Sequence, residues 1–340
     1  MNRAARLMVG VVSAWSLVGC AQSTHAVPDL AESPGYPLTV RNCGREVVID
    51  APPRRAVSLN QGSTEILLSL GLADRMVGTA TWTDPVRADL DGENARVPRL
   101  AVNKPSLETV LGAEPDFVSA SFGGTLGPGG VADREQFERL GVPTYLAPSD
   151  CEGKTSVNGD GARTTPFEME AIYTEIGELA KIFDVADRGD RLIAQLRARL
   201  DRIAGVPFGV DMAFWFSDIR APYFAGCCGS PGVIAGSVGA RNVFADTTDE
   251  WPQVSWETVA DRDPDVLVLA DLSRRTIDGD ALETKIEFLE SNPLTQGLTA
   301  VRHRRYIVVN GADLNPSIRT VDGAEKVAKG PAELGFGAAP

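Results

Sequence analysis

The sequence predicts an α/β protein of two Rossmann-like lobes, each built on a parallel, doubly wound sheet. Two observations carry that prediction. The first is a repeat. Pro105-Ser106-Leu107-Glu108-Thr109-Val110 runs on to Glu114-Pro115-Asp116-Phe117-Val118, and 149 residues later Val254-Ser255-Trp256-Glu257-Thr258-Val259 runs on to Asp263-Pro264-Asp265-Val266-Leu267. The same module at matched spacing signals doubled architecture. The second is the alternation of short apolar runs with helical patterns, the mark of a parallel sheet with crossover helices. A chain of 340 residues has room for two such domains.

The first residues are not part of either lobe. Arg3 and Arg6 precede an apolar run from Leu7 to Val18, closed by Leu17-Val18-Gly19-Cys20. A charged start, a short apolar stretch and a small residue before the cleavage point make 1–19 a signal peptide. The run is too short for a span of about 20 residues. Its ending resembles a bacterial lipobox, which makes Cys20 the lipidated residue and the membrane a partner through that anchor. An ordinary cleaved signal with a coincidental cysteine is the alternative. Residues 20–37 read as a flexible tether. Loss of Arg3 and Arg6 takes the formal charge from −13 to −15. So acidic a surface argues against nucleic-acid binding.

The body opens with a hairpin, Leu38-Thr39-Val40 against Val47-Val48-Ile49. Ala56 to Leu59 is a strand. A helix follows from Ser63-Thr64-Glu65, with Ile66, Leu67, Leu68 and Leu70 inward and Gly71 at its end. Met76-Val77-Gly78 is the next strand. In the repeat, Ser106 caps a helix with Glu108 in its first turn. Pro115 stops it, and Phe117 to Ala120 is the strand. A helix over 132–140 and a strand over 142–146 complete the first lobe, with 148–166 as a long surface loop. Phe167 to Phe183 is strongly amphipathic, with Met169, Ile172, Ile176 and Leu179 at helical spacing. It is long enough to cross between lobes, and a second helix covers 188–203. The second lobe has strands at 211–216, 222–225, 265–269 and 305–309, and helices near 229–236, 255–261, 279–289 and 318–328. The domain bounds are therefore 38–166, 167–204 and 205–330, with a tail over 331–340.

Four cysteines remain in the exported chain: Cys43, Cys151, Cys227 and Cys228. Export favours disulfides. Three connectivities exist; Cys43–Cys151 within the first lobe, with Cys227–Cys228 as a vicinal pair, is preferred. A zinc site is the rival, weakened by the lack of any Cys-x-x-Cys and by only two histidines, His25 and His303. Enzymatic signatures fail on inspection. Gly153-Lys154-Thr155 lacks the first glycine of a phosphate loop, since position 148 is Pro148. Gly127-x-Gly129-x-x-Ala132 does not follow a strand. No Gly-x-Ser-x-Gly elbow occurs, and His303 stands among Arg302, Arg304 and Arg305. The chain reads as a non-enzyme with no cofactor.

Several phrases together resemble one family. Arg55-Ala56-Val57-Ser58-Leu59, then Thr64-Glu65, Leu68-x-Leu70-Gly71-Leu72-x-Asp74-x-Met76-Val77-Gly78, both Ser-x-Glu modules with their Pro-Asp, and Gly239-Ala240-Arg241-Asn242-Val243 are similar to the class III substrate-binding proteins of ABC importers. Those proteins take ferric siderophores, haem or cobalamin. The likeness runs from about residue 38 to 328 and is greatest to actinobacterial ferric-citrate-type iron-uptake lipoproteins. It implies two lobes joined by one stiff helix, here Phe167 to Phe183, and a monomer that delivers its ligand to a permease. It also implies that Glu108 and Glu257 dock on the permease. Each is equally an acid in a first helical turn, worth about 0.3–1 kcal/mol against the helix dipole.

Ligands of open α/β sheets bind beyond the carboxyl ends of the strands. That rule selects Asn60, Gln61, Trp82 and Phe122 in the first lobe, and Trp215, Arg274 and Arg275 in the second. Tyr223 and Trp251 lie on nearby loops. Aromatic walls with a few polar groups suit a large amphiphilic ligand, and the two arginines suit an anionic group. The expected cargo is a ferric siderophore, or haem with Tyr223 as axial ligand; iron enters only as part of that cargo. The competing class is an envelope interaction protein that kept the fold without transport.

Overall fold

Parallel neighbours need a crossover connection between them, and the helices between the strands supply it in both sheets. The computed structural model describes residues 35–155, 161–203 and 208–336. Cys20, the signal segment and most of the tether lie outside them. The chain opens on the expected hairpin, β1 (Leu38–Asn42) and β2 (Arg45–Ile49), antiparallel. Its two-residue turn, Cys43-Gly44, has φ of 52° and 76°, the left-handed pair that a tight hairpin turn requires.

The first-lobe sheet contains β3 (Ala56–Ser58), β4 (Met76–Ala80), β5 (Arg99–Ala101), β6 (Phe117–Ala120) and β7 (Thr144–Leu146). Its order is β5-β4-β3-β6-β7, with every neighbour parallel. The second-lobe sheet contains β8 (Asp211–Ser217), β9 (Tyr223–Phe224), β10 (Arg241–Asn242), β11 (Val266–Asp271) and β12 (Tyr306–Asn310). Its order is β10-β8-β11-β12, parallel, with β9 antiparallel beside β8. Val266 to Ala270 are all fully buried, as a central strand covered on both faces must be.

The two repeat copies fold alike. Ser106 accepts from Thr109 N and Ser255 from Thr258 N, each at 3.2 Å. The helices Leu107–Gly112 and Trp256–Arg262 follow. Glu114 and Asp263, the residues before each proline, both turn left-handed, with φ of 48° and 39°. Each Pro-Asp then fastens its strand to the start of the neighbouring strand that is first in chain order in its sheet. The Asp116 carboxylate accepts from Arg54 N and Arg55 N at 2.8 and 2.9 Å. The Asp265 carboxylate accepts from Asp211 N at 3.0 Å.

Two connections differ from expectation. The helix Met169–Ile182 does not span the lobes. Its apolar face, Ile172, Ile176 and Leu179, packs with Phe117 and Tyr145 in the first-lobe core. The next helix, Ala186–Asp201, makes the crossing over roughly 24 Å. Near its start Arg188 Nη1 donates to Leu70 O at 3.0 Å. Near its end Leu200 packs on the second-lobe core and Arg199 pairs with Glu325 at 2.7 Å. Residues 148–166 are not simply a surface loop. Pro148–Cys151 is a helical turn, and Arg163 is only 4% exposed. The described part of the segment is drawn inward by charge. The Arg163 guanidinium pairs with Glu250 of the second lobe at 2.6 Å, and Lys154 pairs with both Asp150 and Glu250 at 2.6 Å. The Cys43–Cys151 disulfide ties the same segment to the hairpin, and Cys227 and Cys228 stand next to each other with their sulfurs in contact.

Candidate ligand-binding cleft

The carboxyl end of β3 is where strand order reverses in the first lobe, with β4 on one side and β6 on the other. Asn60 and Gln61 stand there, but neither presents its side chain to a ligand. Asn60 is 2% exposed, and its Oδ1 accepts from Ser121 N at 2.9 Å, Thr125 Oγ1 at 3.2 Å and Phe122 N at 3.4 Å. It fills the crevice and shapes the loop after β6. Gln61 does the same for the loop after β4. Its Oε1 accepts from Thr83 N and Asp84 N at 3.1 and 3.0 Å, and its Nε2 donates to Glu65 at 3.0 Å.

Two of the expected tryptophans are core residues. Trp215 is fully buried; its Nε1 donates to Ser217 O and Asp218 O at 3.0 and 3.1 Å, and its ring packs edge-on against Trp256 at 4.8 Å. Strand alternation explains the correction, because side chains two apart share a face. The next residue, Phe216, faces the cleft instead. Trp82 is 6% exposed and lies under the Arg99 guanidinium at 4.3 Å. Arg275 is exposed and does not line the cleft. It pairs with Asp271 at 2.6 Å and donates to Leu272 O.

The remaining candidates meet. A cleft of about 400 Å³ lies between the lobes. Thr83 and Phe122 line it from the first lobe; Phe216, Ser217, Tyr223, Trp251, Arg274, Ile277 and Asn315 line it from the second. Phe216 and Trp251 form a tilted aromatic pair, with centroids 4.9 Å apart. The Arg274 guanidinium lies 5.7 Å from the Phe216 ring and makes two 3.2 Å hydrogen bonds to Asp280. Asp280 also accepts from Thr276 N and Ile277 N, both at 2.8 Å. Burial alone would raise its carboxyl, but Arg274 and these N–H groups prevail and hold it below the usual carboxylate range. Asp280 thus fixes the loop that carries Arg274 and Ile277.

Polar contacts between the lobes flank this cleft. Arg319 grips Glu65 at 2.7 and 2.8 Å, and both side chains are buried. The Asp84 carboxylate accepts from Ser273 N at 3.1 Å and Ala312 N at 2.7 Å. Glu65 and Arg319 lie 254 residues apart. The one hint in sequence is an acid set directly before Ile66-Leu67-Leu68.

Glu108 and Glu257 are both exposed at the starts of their helices. A helix leading into a parallel strand runs opposite to it, so each glutamate lies toward the carboxyl edge of its sheet, the edge that holds the cleft. Glu108's own N–H, then the Ser106 hydroxyl, hold its carboxyl below the usual range. Among the described residues no group of three or more His, Cys, Asp or Glu side chains could hold a metal ion. None of the described helices is long and apolar enough to cross a membrane.

Two α/β lobes with an aromatic cleft between them define a two-lobed solute-binding protein of class III architecture. The chain belongs to the periplasmic binding protein family, whose model matches residues 57–311 and so reaches across both lobes. The vitamin B12-binding protein of Vibrio campbellii is 26% identical over 220 residues, which cover 64% of this chain and 71% of that protein. A periplasmic binding protein from Veillonella parvula superposes with a TM-score of 0.73 at 25% identity, covering 86% of this chain and 96% of the other. The ABC-type Fe3+-hydroxamate transport system structure from Saccharomonospora viridis gives 0.70 at 27% identity, covering 86% and 98%. A periplasmic haem-binding protein from Roseiflexus shares the fold, with a TM-score of 0.64 at 23% identity over 83% and 99%.

Proposed function

We propose that this protein is an extracytoplasmic, lipid-anchored binding protein that captures a ferric siderophore between its lobes and delivers it to an ABC permease. The observation that carries the reading is the cleft itself: three aromatic side chains and a tyrosine around one prearranged guanidinium, Arg274. Apolar walls with few polar groups match an organic chelate, and the guanidinium matches its anionic face. A volume of about 400 Å³ lies near the lower end of small-molecule sites, which favours a compact chelate over a corrinoid with its nucleotide tail. The described cleft wall offers no carboxylate, thiolate or imidazole, so the iron would arrive already chelated. Ferric citrate-type cargo fits this reading. Haem is the second reading, favoured by Tyr223 in the cleft wall. In this account Cys20 carries the lipid, the protein acts as a monomer, and Glu108 and Glu257 present the loaded form to the permease.

Tryptophan-quenching titrations with ferric hydroxamate, ferric citrate, haem and cobalamin test the cargo. Saturable binding of a ferric chelate well below about 100 μM, roughly 5.5 kcal/mol, is the expected result. No binding by any of the four would end the transport reading. Reversing Glu108→Lys and Glu257→Lys together is expected to abolish uptake while ligand binding persists. Unchanged uptake with retained ligand binding would remove the docking role.

A further inference from the structure

The second-lobe wall of the cleft is held from behind by a buried amine. Lys285 lies on the helix Leu282–Ser291 and is fully buried. Its Nζ donates to Ala270 O at 2.6 Å, Phe216 O at 2.9 Å and Asp280 O at 3.4 Å. These carbonyls come from β11, from the end of β8, and from the loop that carries Arg274. The Trp215 ring lies beside the same nitrogen, 5.3 Å away. Three acceptors around one nitrogen match the three N–H groups of an ammonium. A neutral amine has two and turns its lone pair on the third oxygen.

We infer that Lys285 is a positioning residue of the ligand cleft, its ammonium drawing the ends of β8 and β11 and the Asp280 carbonyl together so that Phe216 and Arg274 face the ligand. The role rests on the cleft being the binding site. Two of the contacts have a direct consequence there. The Phe216 carbonyl belongs to the residue whose ring lines the cleft, and the Asp280 carbonyl belongs to the residue whose carboxylate holds Arg274. The clamp is also sensitive to pH. Burial pushes the Lys285 ammonium down to about 7; Asp280 and Asp271 work to raise it, while Arg274 and Arg275 work to lower it. Acid therefore tightens the wall and alkali loosens it.

The test uses the whole protein and ferrioxamine B, a ferric trihydroxamate whose iron coordination does not titrate near neutrality. Wild-type affinity is expected to fall about tenfold between roughly pH 5.5 and 8.5, the scale of one hydrogen bond to a charged group. Lys285→Met is expected to bind at least about tenfold more weakly at the acid end and to show no such pH dependence. His303→Gln, which removes the one histidine of the described residues, is expected to leave the profile unchanged. Lys285→Met that binds as tightly as wild type at the acid end overturns the role. If ferrioxamine B fails to bind the wild type at any pH, the cargo reading suffers but Lys285 is still tested. Without ligand, amide exchange at Ser217 and 273–281, corrected for its intrinsic pH dependence, and tryptophan emission are expected to change with a midpoint near 7. Exchange and emission in Lys285→Met that match the wild type overturn the positioning role, and Lys285→Arg, which keeps the charge but not the amine's geometry, makes the same comparison if Lys285→Met does not fold.

Discussion

The two lobes share a module and differ in how they close the gap beside it. In the first lobe the junction of β3 and β6 is stitched by Asn60, an amide oxygen accepting from Ser121 N, Phe122 N and Thr125 Oγ1. In the second lobe the matching junction of β8 and β11 is stitched by Lys285, a nitrogen donating to Phe216 O, Ala270 O and Asp280 O. One junction is made by a group that does not titrate and the other by one that does. The lobes also bury opposite lone ionisable groups. Glu175 in the first is 2% exposed, with Oε1 unpartnered, and Lys285 lies in the second. The difference teaches that the repeated framework supports each sheet, while the side chains at the strand ends set the character of each cleft wall.

The largest expected effect breaks the contact that relates the two lobes. Arg319→Met leaves the Glu65 carboxylate buried without its partner and is expected to cost about 3–5 kcal/mol in urea unfolding. A loss below about 1 kcal/mol would mean that the pair does not hold the lobes together. Next is the amide junction. Asn60→Ala strands the Ser121 and Phe122 N–H groups and is expected to cost about 2–3 kcal/mol, with the same loss at acid and alkaline pH.

The buried charges give opposite pH slopes. Burial, then Glu178, raises Glu175 from 4.5 to about 8. The folded lobe therefore holds a proton that the unfolded chain releases near 4.5, and stability falls as pH rises from about 4.5 to 8. By pH 7 the loss is on the order of 3 kcal/mol, and Glu175→Gln is expected to remove that slope. Lys285 works the other way. Its lowered value makes stability rise between about 7 and 10.5, so the two variants should flatten opposite limbs of a stability–pH curve. The smallest effect tests the likeness. Ser106→Ala and Ser255→Ala should each cost about 1 kcal/mol, because their caps have the same 3.2 Å geometry. A clear inequality would show that the two copies no longer share a structural role.

Much of this was readable from local chemistry. The caps, the proline stops and the apolar run Val266 to Ala270 act within a few residues, and their elements stand where the residues put them. The unpredicted strands, Arg99–Ala101 and Arg241–Asn242, are too short to show alternation. Phe122, Tyr223, Trp251 and Arg274, which strand ends and aromatic loops single out in the sequence, line one cleft. Phe216 rather than Trp215 lines the cleft, and local sequence does not specify which face of β8 meets it. Glu65–Arg319 and the Lys285 clamp join residues that only folding brings together, and no spacing rule reaches them.

The account rests on ligand entering between the lobes, and paired fluorescence titrations test this most directly. Ferric siderophore or haem should quench wild type, and Trp251→Phe should lose most of that binding-linked quench while Trp82→Phe keeps it. Trp251 lines the cleft and Trp82 is packed under Arg99. Quenching that survives in Trp251→Phe and disappears in Trp82→Phe would place the ligand elsewhere and contradict the account.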